Sequence, residues 1–455
     1  MVEVDAERGV VRVVGPTASV GNALPIIDDM PYALIATRNM SFWHQCLSTI
    51  GHYLYAQDFG IGARNEIVSL THGGTHTDTF ISPRDSEAYG AAILAAVDSD
   101  EKIRSLKVRY EEFAVALTRS LDDMRQDLTV GSWRTFLEAY ARMCAGLNLT
   151  AILGRVGVEA LIEQLRGKGL DEAKIPEVIS VITYPSEHTP LFESQLGLLR
   201  IGKDVQDGKS DEHERAQALE AWLARWRHIP VNFCEDPWTI RDAHAQLESI
   251  LAKECAREVR RLEEAHQAKI AQAKQRLADL EDARIAVLAR ALAEGTYLNE
   301  FRKSVFSKVS LGYRPVFETV ARLGGSDQWR DCLFLLPDEM TQLLEGRKLS
   351  VPTLVRERSL AGCKLAPGGS VALLDAAELK RLEEYVKVVN GQTRVTSEDR
   401  MEVKGFSASK GKVRGIVRIV LSSKDFHKLG SGEILVATMT SVEFVPVMER
   451  AGAFV

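Results

Sequence analysis

Two imidazoles and a carboxylate fall within one short stretch, Thr71-His72-Gly73-Gly74-Thr75-His76-Thr77-Asp78, with His44 and His52 a little upstream. Histidine and carboxylate side chains ligate zinc and move protons near neutral pH. A metal-dependent hydrolase built on His72 and His76 is therefore one reading. A His-x-x-x-His pair shares a face only on a helix, however, and Gly73-Gly74 predicts a loop. On that spacing no metal-ligand set is assigned, and His72 and His76 fit a structural loop or the rim of an acceptor pocket. Arg38, Trp43 and His44 lie in Tyr32 to Tyr55, an apolar stretch read as helical. Pockets between helices commonly hold ligands, and packing Trp43 into a core is the competing use. Arg38, Trp43, His44, His72 and His76 form the candidate substrate-binding set.

Other chemistries find little support. No Gly-x-x-x-x-Gly-Lys-Ser/Thr loop occurs, and Gly60-Ile61-Gly62-Ala63-Arg64-Asn65 lacks the third glycine of a dinucleotide fingerprint, so it reads as a turn. No cofactor is expected in this chain. His266 sits on an apolar seam and reads as a packing histidine. His427, in Lys424-Asp425-Phe426-His427-Lys428, reads as a solvated loop residue.

The 455 residues carry a net charge of −6, with 45% hydrophobic and 26% charged residues. That balance gives no broad positive field for nucleic acid or an anionic membrane. Six cysteines are scattered without a Cys-x-x-Cys pair, as in a reducing compartment. Neither a basic, then apolar leader nor an apolar run of about 18 residues is evident, so a soluble cytoplasmic protein is expected.

Most of the chain reads as helix. Ile103, Leu106, Tyr110, Phe113, Leu117, Leu121 and Met124 recur at steps of three and four, and Trp133, Phe136, Tyr140 and Met143 continue after a break at Gly131-Ser132. Asp236-Pro237 suits a helix start. From Leu247 to Leu280 the same spacing predicts one long helix, with Gly295 ending the run and Tyr297 to Leu323 resuming it. Leu335 to Leu344 and Ala376 to Val389 are further helices. Asn390 to Glu398 is small and polar, as a tether would be.

The last fifty or so residues change character. Gly405-Phe406-Ser407-Ala408-Ser409-Lys410-Gly411-Lys412-Val413-Arg414-Gly415 precedes the β-branched run Ile416 to Val420. Gly432-Glu433-Ile434-Leu435-Val436-Ala437-Thr438-Met439-Thr440 reads as a buried strand. Phe444-Val445-Pro446-Val447-Met448-Glu449-Arg450-Ala451-Gly452-Ala453-Phe454-Val455 reads as a helix leading into a strand. This ordered set resembles the swivelling phosphohistidine domain of the phosphoenolpyruvate-utilising enzymes, a family that includes phosphoenolpyruvate synthase, pyruvate phosphate dikinase, rifampicin phosphotransferase and phenylphosphate synthase. Val442 departs from it, standing where many relatives have proline.

The resemblance implies a phosphotransferase that moves phosphoryl from ATP or phosphoenolpyruvate, with Mg2+, through a histidine to a small acceptor. It places that histidine in a Thr-Asp-x-Gly-Gly-x-x-x-His run beyond Val455, so the chain alone is expected to be inactive in the transfer. It also implies an ATP-binding partner subunit. A non-catalytic scaffold or acceptor-binding subunit is the alternative from a different class. The expected fold is a mainly α central domain of long helices plus a C-terminal, incomplete α/β swivelling phosphohistidine-type domain. Its expected parts are a strand or junction segment at 1–30, the helical domain at 31–365, a helix and tether at 366–400, and the partial swivelling domain at 401–455.

Overall fold

The computed structural model describes residues 2–5, 10–13, 33–63, 66–366, 369–389, 402–404, 411–420, 423–437, 445–448 and 450–455. The expected tether, the lead-in at 405–410, Arg64-Asn65 and the helix start at 440–444 lie outside them. Two compact units divide the chain, Met1–Asp28 with Glu383–Val455, and Asp29–Leu382.

The chain opens with β1 (Val2–Asp5), β2 (Val10–Val13), β3 (Ala33–Arg38) and α1 (Phe42–Leu54). β4 (Ile67–His72), β5 (His76–Ile81) and α2 (Pro83–Ala96) follow. Then come α3 (Asp100–Gln126), α4 (Val130–Gly167), α5 (Ile175–Ile182), α6 (Pro190–Gln206) and α7 (Glu212–Trp226). The helical run continues with α8 (Ile240–Leu251), α9 (Cys255–Leu280), α10 (Ala283–Gly312), α11 (Arg314–Leu323), α12 (Pro337–Leu344) and α13 (Val351–Glu357). β6 (Leu360–Leu365), β7 (Val371–Leu373) and α14 (Ala376–Val389) lead to β8 (Glu402–Lys404), β9 (Lys412–Gly415) and β10 (Val417–Ile419). β11 (Ile434–Val436), α15 (Val445–Met448) and β12 (Ala453–Phe454) close it.

The larger unit is mostly helical. The stripe from Ile103 to Met124 is buried as its spacing predicts, apart from a half-buried Phe113. α4 has the length and apolar composition of a membrane-spanning helix, against the sequence expectation that no such run exists. Here Trp133, Phe136, Tyr140 and Met143 of that helix are buried in the core. At the crossing with α1 the backbones nearly touch: a side chain on Gly51 would stand 2.2 Å from the Ala141 carbonyl oxygen.

Several boundaries differ from the sequence reading, each for a local reason. Residues 33–38 are a strand, not helix, and the helix starts only where Ser41 accepts a hydrogen bond from the His44 amide. The stretch 72–78 is no open loop; Gly73 and Gly74, at φ 56° and 73°, turn a tight hairpin that pairs His72 with His76. α4 is capped by Thr129 in a capping box with Ser132, rather than at Gly131-Ser132. Thr239 with Asp242, not Asp236-Pro237, caps α8. The single helix expected from 247 to 280 breaks after Leu251. There the Gln206 amide donates to the Leu251 and Lys253 carbonyls and accepts from the Cys255 amide, satisfying the free ends from outside. α10 runs straight through Gly295, whose missing side chain makes room for Leu153. The break falls instead at Glu281, in the left-handed region, with Asp282 capping the next helix.

Against this bundle lies an antiparallel sheet in the order β3-β5-β4-β6-β7. Phe42 and Cys46 of α1 pack on Ala361 and Cys363 of β6.

Among its described residues the smaller unit holds two sheets. One is antiparallel, β8-β2-β1-β9, so the first strands of the chain share a unit with its last residues. The other is parallel, β10-β11-β12, with Val417 opposite Ile434 and Ile434 opposite Ala453. Val420, Leu429, Leu435 and Val447 form its small core. Strand, helix and strand occur in the order read from the sequence.

Candidate functional site

The five candidate residues separate into three places. Trp43 and His44 sit in the aromatic heart of the bundle, 0% and 1% exposed. Tyr140, Tyr313 and Phe317 surround the indole at ring-centre distances of 5.2, 5.7 and 5.1 Å. His44 Nδ1 lies 2.5 Å from Ser41 Oγ, and Nε2 lies 3.0 Å from the Tyr313 hydroxyl. Tyr313 donates onward to the Phe233 carbonyl, so His44 carries its proton on Nε2 and accepts from Ser41. Burial drives its pKa down to about 3. These side chains fill a core and line no opening; helical spacing alone does not distinguish the two uses.

His72 and His76 flank the hairpin turn, half-buried and exposed respectively. His72 Nε2 reaches Asp78 Oδ2 at 3.3 Å, while Thr37 donates to Asp78 Oδ1 at 2.6 Å. Burial alone would raise the Asp78 pKa, yet it is lowered, because hydrogen bonds from His72 and Thr37 and the charges of His72 and His76 prevail. Hairpin pairing, with no helix involved, puts Thr37, His72, His76 and Asp78 on one face of the sheet, against the expectation that only a helix would bring the two histidines to a common face. Among the described residues no group of three or more His, Cys, Asp or Glu is placed to hold a metal ion. The ligand set required by the hydrolase reading is therefore not assembled around His72 and His76.

Arg38 pairs with Thr77 and so faces the opposite side. Its pKa is lowered by burial. Arg302 on α10 is 4% exposed, donating to Thr150 Oγ1 at 2.9 Å and Asn299 Oδ1 at 2.6 Å. Burial brings its pKa down to about 10, with the charge of Arg38 adding to the effect. His427 lies exposed in the turn Ser423–Lys428, and His266 bonds Tyr184 and the Ser186 carbonyl, as packing histidines do.

A further site was not legible in the sequence. α3, α6, α7 and α10 enclose an open groove of about 820 Å³. On its wall His228 Nε2 stands 2.8 Å from Ser304 Oγ. Burial lowers the His228 pKa to about 4, and the charge of Lys308 adds to this, while a bond to the Arg225 carbonyl opposes it. Nε2 faces Ser304, and the lowered pKa leaves the ring neutral near pH 7, able to exchange a hydrogen bond with a hydroxyl there.

No family model matches the chain. The likeness found is to a phosphoenolpyruvate synthase. The chain is 32% identical over 88 residues to a probable phosphoenolpyruvate synthase of Archaeoglobus fulgidus, a match covering 19% of this chain and 12% of that relative. It supports a relationship to phosphoenolpyruvate-utilising enzymes over that stretch.

Proposed function

We propose that this chain is part of a phosphotransferase of the phosphoenolpyruvate-utilising kind, in which a histidine carries phosphoryl to a small acceptor bound by the helical unit. The observation that carries the reading is the 32% identity to a probable phosphoenolpyruvate synthase. The parallel β10-β11-β12 piece with α15 between its last two strands agrees with the strand–helix–strand order of a swivelling module.

Phosphohistidine suits this work because its P–N bond forms and breaks readily at near-neutral pH. In the second half of such a cycle the acceptor oxygen attacks phosphorus, the P–N bond breaks, and the acceptor proton passes to a base. None of the ten histidines here stands in a Gly-Gly-x-x-x-His run, so the carrier imidazole is assigned to sequence outside these residues. The described residues gather no acidic set suited to Mg2+. On this reading a partner subunit or a further segment supplies metal and nucleotide.

The test is to incubate the natural full-length protein, with any co-purifying partner, with phosphorus-labelled phosphoenolpyruvate or γ-labelled ATP. An acid-labile, base-stable phosphoprotein is expected. Absence of label from both donors overturns the transfer reading and leaves a scaffold or acceptor-binding subunit.

A further inference from the structure

The groove of the helical unit has a polarity that no sequence motif announces. Lys107 pairs with Glu294 at 3.4 Å, and Leu121 fills the space beside Gly312, so α3 and α10 run in the same direction along it. Side chains at one level of α3 therefore face known levels of α10.

At one end Arg119 and Lys308 share a level, and neither has an ion pair or hydrogen bond among the described residues. Asp122 nearby is engaged by Arg125 at 3.9 Å. One turn back along α10 stands Ser304, bonded to the neutral Nε2 of His228. Val115, 68% exposed, lies across from it as an apolar rail. Beyond, the rings of Tyr297 and Phe301 stack at 6.1 Å, and Trp226 completes that wall. Two cations thus lie a turn from a hydrogen-bonding imidazole, with aromatic surface beyond; Glu111, Glu193, His188 and Arg225 also line the groove, Glu193 bonded to His188 and Arg225 lying over Trp226.

We propose that this groove binds a small planar molecule carrying an anionic group and a hydroxyl, with the anion between Lys308 and Arg119 and the hydroxyl donating to His228 Nε2. Ser304 now fills the hydroxyl's place, and four residues of helix, about 6 Å along the axis, separate it from Lys308. A ring with para-placed groups spans that interval. The anion answers two cations that have no ion-pair partner among the described residues, and by offsetting Lys308 it makes His228 a stronger base. The ligand's part as phosphoryl acceptor rests on the reading above, with its hydroxyl proton passing to His228 Nε2 as the P–O bond forms. Binding itself does not rest on that reading.

The probe is 4-hydroxybenzenesulfonate, an anion at every working pH, titrated against the whole chain by calorimetry beside phenol and benzenesulfonate. Saturable binding is expected, about tenfold tighter than either control. His228→Gln should erase the advantage over benzenesulfonate, and Lys308→Met the advantage over phenol. Ser304→Ala should tighten binding, since the ligand no longer displaces a hydroxyl; a variant that merely damaged the fold would weaken it. Equal affinities for the three compounds, no saturation by about 10 mM, or preferences that survive both charge and base variants overturn the proposal. Intact binding beside an unlabelled full-length protein would sink only the transfer reading.

Discussion

His44 and His228 are both neutral, largely buried imidazoles bonded to a serine hydroxyl, and they do different work. Around His44 the bonds close on themselves: Ser41 on one nitrogen, Tyr313 on the other, and Tyr313 on to the Phe233 carbonyl. Both ring nitrogens are engaged by protein groups, which fixes the ring and leaves neither of them to offer a ligand. Around His228 the Nε2 nitrogen meets Ser304 on a groove wall. A hydroxyl there is exchangeable. Burial and depressed pKa mark both histidines, so neither property identifies a ligand site; what decides is whether the chain of bonds ends in protein or at an opening.

The largest test breaks the closed side. Trp43→Ala removes the ring that five aromatic neighbours surround. It should cost about 3–5 kcal/mol of stability, read from urea midpoints. A loss under about 1 kcal/mol would mean the indole is not a keystone of the core. If the protein survives, sulfonate binding in the groove should be unchanged, because no Trp43 atom lines it.

Where sequence reading succeeded and failed follows the same logic of local against distant partners. The stripe of α3 and the strand–helix–strand of the C-terminal residues were legible because period and turn chemistry are local. The break after Leu251 was not, because the amide that clamps it, Gln206, is 49 positions from Cys255. Ser304 and His228 are 76 positions apart, and His44 and Tyr313 are 269 apart. His44 has Ser41 three positions away, but Tyr313 and Ser304 lie far in sequence from the histidines they meet. Arg38 was misplaced because a short strand leading directly into a helix blends with the apolar spacing of that helix.

Acidification sharpens the comparison next. His44, His52 and His228 have folded pKa values of about 3, 4 and 4 against an ordinary value near 6.5. Between those limits the unfolded chain binds protons that the folded chain refuses, so stability is full above pH 6.5 and falls as pH drops. At pH 5 each histidine should cost about 2 kcal/mol. His44→Gln and His228→Gln should each flatten the fall between pH 7 and pH 5 by about that amount. Saturating 4-hydroxybenzenesulfonate should shrink the His228 share alone, because only that histidine feels the charge of Lys308. Equal responses of the two would mean that the groove and the core are not distinct environments.

The smallest effects discriminate best. Ser41 is 0% exposed, bonds His44 Nδ1 and caps α1. Its replacement by alanine strips a helix cap and leaves a buried ring nitrogen without a donor, which should cost about 1–2 kcal/mol. Ser304 caps nothing, and the nitrogen it covers borders a groove that water enters. Ser304→Ala should therefore cost under about 0.5 kcal/mol, since a water can take up the vacated hydrogen bond. The pair of serine variants, melted side by side, thus compares the same lost hydroxyl–imidazole bond in a closed setting and an open one. Losses of equal size would show that His228 depends on Ser304 as His44 depends on Ser41, and a ligand could then displace that hydroxyl only at the expense of the fold.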